Sequence, residues 1–225
     1  MKSLKTLFSV TLVLIIVGVV FLMDIPTFMM IKRGQVKNFN ELSPNELQVN
    51  EPVKGTIEMS IGACAEQYKT KFGIRISSGS TLQYYVLWMR NSQAEDHLIL
   101  YETGDSDEYA TLDKITDETV KYFETLNEAE ESQDYSVVIP PKTEMAFEGV
   151  VREPSSELMG LFKSYYDEAF GTNDFNEYAE PLMISRRSFS AFTGTVIAGL
   201  ICAALGIILG IVTFILWRKS KKEGY

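Results

Sequence analysis

FTGTVIAGLICAALGIILGIVTFILW, residues 192–217, is the stretch that decides the architecture: it carries no charge, and it stops abruptly at Arg218, Lys219, Lys221 and Lys222. A helix rises about 1.5 Å per residue, so this segment is long enough to cross about 30 Å of hydrocarbon, and a basic stop is what ends such a span. A second apolar run, LFSVTLVLIIVGVVFLM at residues 7–23, follows Lys2 and Lys5 near the start. A secretory signal peptide has the same layout. Its cleavage site needs small residues in an A-x-A-like pattern, whereas Phe21, Leu22, Met23, Asp24, Ile25 and Pro26 offer none. The first run therefore reads as an uncleaved signal anchor, with Asp24 and Pro26 at its wet end and Ile25 to Ile31 in the headgroup layer. The expected plan is a short start (1–6), a first transmembrane helix with its interfacial end (7–31), a polar domain (32–187), a second transmembrane helix (188–217) and a basic tail (218–225).

Charge bears on orientation. Lys2, Lys5 and the four basic residues of the tail flank one side of the spans, and Lys32, Arg33, Lys37, Arg186 and Arg187 flank the other. The count alone is close to even. A short basic start before an apolar run and the acidity of the intervening domain both favour a cell-membrane protein with two cytoplasmic termini and an extracytoplasmic domain. The chain of 225 residues has a formal net charge of -9, and nearly all its acids lie in the domain, which excludes nucleic acid as a partner. Cys64 is the domain's one cysteine, and Cys202 lies in the second span, so no disulfide forms within the domain; no N-x-S/T triplet occurs either. That pattern fits a bacterial surface protein.

Within the domain, Val53, Gly55, Ile57, Met59 and Ile61 alternate with polar residues and read as one half-buried strand. Leu82 to Met89 and Leu98 to Glu102 read as strands joined through a polar hairpin, Arg90 to His97. Ile115 and Val120, spaced as a hydrophobic staple about Thr116, predict a helix running to about Asn127, with the acidic run Asn127 to Asp134 as a hinge. Met145 to Val151 alternates again as a strand. A second helix opens at Ser155 or Ser156, carries the stripe Leu158, Leu161, Phe162, Tyr165, Tyr166, Ala169 and Phe170, and stops at Gly171. Asp174 to Glu180 reads as a membrane-proximal interfacial loop. The fold class is α+β, a mainly antiparallel sheet with two packed helices, flanked by two transmembrane α-helices; a small open barrel closed by helices is the alternative.

The segment Val53 to Tyr68 (VKGTIEMSIGACAEQY), followed by Tyr84, Tyr85, Val86 and Leu87, resembles a family of uncharacterised two-pass bacterial membrane proteins found mostly in Firmicutes. That family pairs a V-x-G-x-I strand with a small-Ala-Glu step and then a tyrosine-rich strand. The resemblance implies a surface-exposed bacterial domain and no particular activity.

Catalytic signals are sparse. His97 is the only histidine, so any nucleophilic dyad must run through it, with Cys64 as the thiol to test. Cys64 sits among Gly62, Ala63 and Ala65, where a buried structural thiol is common, and His97 reads as a hairpin-surface residue. Asp105, Asp107 and Glu108 after Gly104 resemble a cation loop, but the EF-hand glycine and glutamate are missing, and a solvated acidic loop is the plainer reading. Glu66, in a small-residue context, reads as a structural hydrogen-bonding acid. No catalytic residue, cofactor or metal ligand is assigned. Tyr84, Tyr85 and Trp88 form a possible binding face, with Tyr84 and Trp88 on one side of their strand and Tyr85 on the other. Gly194, Ala198, Cys202, Gly206 and Gly210 recur every fourth residue along the second span, a small-residue face suited to helix packing, for a homo-oligomer, a partner membrane protein or the first span.

These readings converge on a non-enzymatic binding or assembly module in the lipid bilayer, an accessory or sensory subunit acting through a partner protein. A surface hydrolase or metal-dependent enzyme using His97, Cys64 or the Asp105 loop is the alternative.

Overall fold

The computed structural model describes residues 2–42, 46–68, 70–71, 74–75, 81–90, 96–171 and 174–222. The chain falls into two compact units, one made of Met1–Gln35 with Ser188–Tyr225, the other of Val36–Arg187. In order, its elements are α1 (Lys2–Leu22), α2 (Ile25–Lys32), β1 (Lys37–Asn38), β2 (Pro52–Ile57), β3 (Ser60–Gln67), β4 (Thr70–Lys71), β5 (Ile74–Arg75), β6 (Leu82–Arg90), β7 (Asp96–Thr103), α3 (Ser106–Ser132), β8 (Met145–Arg152), α4 (Ser156–Phe170), α5 (Phe175–Tyr178), β9 (Ala179–Arg186) and α6 (Phe189–Lys222).

The first unit is an antiparallel helix pair. Both α1–α2 and α6 contain stretches long and apolar enough to cross a membrane, and α1 ends at Leu22, just before Asp24 and Pro26. On α6, Gly199, Ala203, Gly206 and Gly210 meet α1, and the buried Phe192, Val196 and Thr213 continue the same line in steps of four and three that repeat every seven residues. Such a 3.5-residue period is that of a left-handed pair. Close approach needs the glycines: a Cβ on Gly18 would lie 2.9 Å from Ala203 N, one on Gly199 2.8 Å from Phe21 Cβ, and one on Gly206 2.8 Å from Ile15 Cγ1. The seam thus differs from the four-residue stripe read in the sequence. Gly206 and Gly210 lie on it, whereas a Cβ on Gly194 would meet nothing within 4 Å.

The second unit is α+β, as the sequence predicts. Its seven-stranded sheet runs β1-β2-β8-β9-β7-β6-β3, parallel at β1–β2 and β7–β9 and antiparallel elsewhere, with β4–β5 as a separate ribbon. The alternating run 53–61 is two strands. β2 ends at Ile57, β3 begins at Ser60, and the two lie at distant places in the strand order. Five strand spacings of about 4.8 Å would separate them by about 24 Å in a flat sheet, whereas the three Cα steps from Ile57 to Ser60 reach at most about 11 Å. The sheet must therefore curl back on itself. Consistent with this, Ile57 of β2 and Leu87 and Met89 of β6 line one small cavity of about 70 Å³, and Trp88 N donates to Met59 O at 3.2 Å.

The inner face holds Val53, Ile57, Tyr85, Leu87, Ile99, Tyr101, Phe147, Val151 and Ile184, packed against Phe39 and against Leu112 and Ile115 of α3. The other face of β6 and β7 holds Tyr84, Val86, Leu98 and Leu100 against Leu158, Phe162 and Tyr166 of α4 and Phe175 of α5. Gly55 of the V-x-G-x-I motif has a local cause. Asn40 accepts from Thr56 N and donates to Thr56 O, both at 2.8 Å, and this crossing places Asn40 Oδ1 2.6 Å from where a Cβ on Gly55 would stand.

Three further expectations are corrected. The helix predicted from Thr116 begins ten residues earlier at Ser106, capped by Asp105, whose Oδ1 accepts from Asp107 N at 3.1 Å, and it continues to Ser132, through most of the run read as a hinge. Thr116 instead lies mid-helix, where its hydroxyl bonds Leu112 O and Ser60 Oγ. Asp174 to Glu180 is no interfacial loop but α5 and the start of β9, with Phe175 buried against Phe162 and Tyr166. The hairpin strands are longer than read, reaching Arg90 and starting at Asp96, while residues 91–95 of the connection lie outside the described residues.

Candidate functional site

A cleft of about 280 Å³ opens on the second unit beside the ends of β6 and β7, lined by Trp88, Asp96, His97, Leu98, Tyr166, Phe170, Asp174 and Tyr178. Its geometry follows from how α4 ends. Ser155 caps the helix start through Leu158 N, and Gly171 ends it at φ 65°, a left-handed turn that glycine adopts without strain. The chain then returns as α5, whose Phe175 ring sits 5.0 Å from Phe162 and 5.5 Å from Tyr166. Tyr166 and Phe170 are thereby held toward the first residues of β7. Two hydrogen bonds fix the polar groups: Trp88 Nε1 donates to Asp96 Oδ1 and Tyr166 OH donates to Asp174 Oδ1, each at 2.9 Å.

His97 is correspondingly not a free hairpin-surface residue. Its side chain is mostly buried in this cleft, with Nδ1 3.7 Å from Oε1 of Glu180, and Glu180 is itself only 4% exposed. The parallel pairing of Leu98 with Ala179 brings these two together. Sequence reasoning passed over Glu180 because it treated 174–180 as a loop. Glu66, the acid it singled out, is exposed and accepts from Tyr68 OH.

The proposed binding face divides. Trp88 lines the cleft, with its ring 4.8 Å from Phe123 and 6.2 Å from Phe170. Tyr84 and Tyr85 are both buried, on opposite faces of β6, and neither presents a binding surface. Burial pushes the Tyr84 hydroxyl up to about 12, with the Glu102 carboxylate adding to the shift. Tyr85 donates to Asp113 at 2.8 Å, and burial together with that carboxylate raises it further.

Cys64 and His97 do not meet. Cys64 lies beside the register positions of Tyr84 and Tyr85, whereas His97 pairs with Met89, one strand over and four to five residues along β6, roughly 15 Å at 3.3 Å per residue. Burial pushes the Cys64 thiol up to about 12, the opposite of an activated nucleophile. The Asp105 cluster is also accounted for as structure. Arg186 of β9 binds Glu108 (2.7 Å) and Asp105 (3.0 Å), and Glu108 Oε2 accepts from Tyr101 OH at 3.1 Å and Thr103 Oγ1 at 2.7 Å. These acids cap a helix and tie it to the sheet.

An apolar helix pair with a glycine seam, joined to a curled α+β unit with one aromatic and acidic cleft, defines the class. The chain belongs to the family described as a domain of unknown function, DUF8577, whose model matches residues 1–217 and so takes in both apolar helices as well as the unit between them. No curated protein and no solved structure matches the chain.

Proposed function

We propose that the chain is a two-pass bacterial cell-membrane protein whose helix pair holds the α+β unit outside the cytoplasm as a non-enzymatic binding or assembly module. The observation that carries this reading is the inverted character of the helix pair. Its seam is built of Gly18, Gly199, Ala203 and Gly206, while Phe8, Val13, Ile16, Val20, Ile197, Ile201, Ile208 and Ile215 point outward, each more than half exposed. An outward surface of this kind is disfavoured in water, and small-residue seams are how helices associate in lipid. Trp217, with Lys221 Nζ 4.5 Å from its ring, suits an interfacial anchor.

Orientation is supported by the short basic start before the first span and by the acidity of the unit between the spans, because the basic residues flanking the two sides are close to even in number. Any signal passes through a partner, a second copy or another membrane protein, reached through the second span.

Surface labelling tests the topology. In a chain lacking Cys64 and Cys202, a cysteine at exposed Glu131 should react with a membrane-impermeant maleimide on intact cells, and one at Ser220 only after lysis. The reverse pattern overturns the orientation, and recovery of the chain in the soluble fraction overturns the anchorage.

A further inference from the structure

The helix pair opens at one end into a groove of about 690 Å³, walled by Lys5, Phe8 and Thr11 of α1 and by Gly210, Phe214 and Trp217 of α6. Its place follows from the seam. A Cβ on Gly206 would stand 2.8 Å from Ile15 Cγ1, but one on Gly210, a turn further along, would stand 3.5 Å from Thr11 Cγ2, which is ordinary van der Waals contact; the helices part beyond Gly206. Lys5 lies about 9 Å from the level of Thr11, and Trp217 about 10 Å beyond Gly210, in the same direction along an antiparallel pair. The groove therefore runs from the crossing at Thr11 to the level where both apolar stretches end in basic residues.

Its walls offer apolar surface and almost no hydrogen bonding. Phe8 and Phe214 are each more than half exposed. The hydroxyls in it donate to their own helices, Ser9 to Lys5 O at 3.1 Å, Thr11 to Leu7 O at 2.9 Å and Thr213 to Leu209 O at 2.7 Å. The donors left among the lining side chains are the Lys5 ammonium and the Trp217 indole N–H, both at the mouth. Charge there has one sign. Among the described residues of the helix pair the only acid is Asp24, at the opposite end, while Lys5, Arg218, Lys219 and Lys221 gather at this one, with Lys221 Nζ 4.5 Å from the centre of the Trp217 ring; Glu223 is the one acid that follows.

We infer that this groove holds an anionic phospholipid, its phosphate against Lys5 and Trp217 Nε1 and one acyl chain along Phe8 and Phe214 toward Thr11. An apolar slot between helices with a basic mouth at headgroup level is the chemistry that selects such a lipid. The inference rests on the reading of the pair as membrane-inserted and adds a lipid partner to it. A second copy inserted the same way round would bring its own Lys5 and basic tail to this level, like charge against like, and the large Phe8, Phe214 and Trp217 deny a further helix close approach. A small polar molecule finds too few donors, and a neutral lipid gains nothing from Lys5.

The test uses the full chain with Trp88→Phe, which leaves Trp217 as the single tryptophan, in phosphatidylcholine vesicles containing phosphatidylglycerol. Either lipid is supplied brominated in the upper half of its acyl chains, and quenching of Trp217 gives their relative affinity; the difference between the wild type and Trp217→Phe gives the same quantity with the α+β unit unaltered. At physiological salt, phosphatidylglycerol should be preferred about fivefold, the effect of one lysine at the surface. Lys5→Gln should bring the ratio close to one, whereas Arg218→Gln with Lys219→Gln, outside the groove, should lower it less than about twofold. Equal quenching by the two lipids, a preference that survives Lys5→Gln, or one lost only with the tail pair, as diffuse attraction predicts, overturns the inference. Shielding of Trp217 from both lipids, as a second copy seated in the groove would give, does so too. A chain that floats with the vesicles yet shows any of these results leaves the anchorage intact, and one that does not float overturns both.

Discussion

Replacing Glu108 with Ala should destabilise the α+β unit by about 2–4 kcal/mol. The carboxylate accepts from Tyr101 and Thr103, whose residues are 0% and 1% exposed, and from Arg186 Nε. A buried donor left without an acceptor costs about 1–3 kcal/mol, and two are stranded here; water entering beside the shortened side chain holds the sum to the lower half of that range. Arg186 adds little, because its side chain is 37% exposed and keeps Asp105 at 3.0 Å. Burial, with Glu108 next in weight, holds the Tyr101 hydroxyl protonated far above its ordinary range, so it remains a donor at any working pH. Tyr101→Phe alone should cost about 1 kcal/mol, since Glu108 keeps two other donors. The double variant should therefore fall short of the sum of the singles by about 1 kcal/mol, the coupling that a shared hydrogen bond produces. Urea unfolding of the full chain in micelles, followed by tyrosine circular dichroism, measures all three. A loss below about 0.5 kcal/mol in Glu108→Ala, or strict additivity in the cycle, refutes this account of the network.

Glu118 accepts from Lys142 N, Thr143 Oγ1 and Thr143 N, and these bonds hold its carboxyl at about 2, below its ordinary 4.5. Its contribution is whole above about pH 4.5 and fades as pH falls toward 2, so the melting temperature of Glu118→Gln should lie below the wild type's at pH 6 and converge with it near pH 2; parallel curves would count against the clamp. Gly62 has φ 122°, and a Cβ there would stand 2.5 Å from Tyr165 OH, so Gly62→Ala should destabilise by about 2–4 kcal/mol; Tyr165→Phe relieves the clash but gives up the bond Tyr165 OH donates to Ile61 O, so Gly62→Ala should cost less in the Tyr165→Phe background than in the wild type. In the helix pair, Gly206→Val should lower the melting temperature in micelles while Gly194→Val leaves it unchanged, because only the first meets Ile15. Equal effects would place the seam elsewhere.

Much of this molecule is written in local patterns. The charge-free run 192–217, the alternation at 145–151 and the stripe from Leu158 to Phe170 between Ser155 and Gly171 all become the elements they suggest, because period, cap and stop agree at each. Local signals also mislead where a strand bends. The alternation from Val53 to Ile61 is unbroken, yet the chain turns between Ile57 and Ser60, since period two records which face is buried and not which neighbour is bonded. The start of α3 was missed because Asp105, Asp107 and Glu108 read as solvated charge, although an acid at the cap and in the first turn of a helix is their commonest structural use.

By itself, the sequence determined the two apolar ends, the α+β class, the acid balance and the residues able to bind anything at all, since each depends on composition or on periodicity within one element. Tertiary structure alone decided which of them meet. The inner core buries Tyr85 while α4 and α5 cover Tyr84 on the opposite face and leave Trp88 at a cleft, the parallel β7–β9 pairing sets Glu180 against His97, and the 3.5-residue seam selects Gly206 and leaves Gly194 exposed. Such contacts join residues far apart in the chain, His97 with Glu180 and Ile15 with Gly206, and a pattern confined to neighbouring residues carries no record of them.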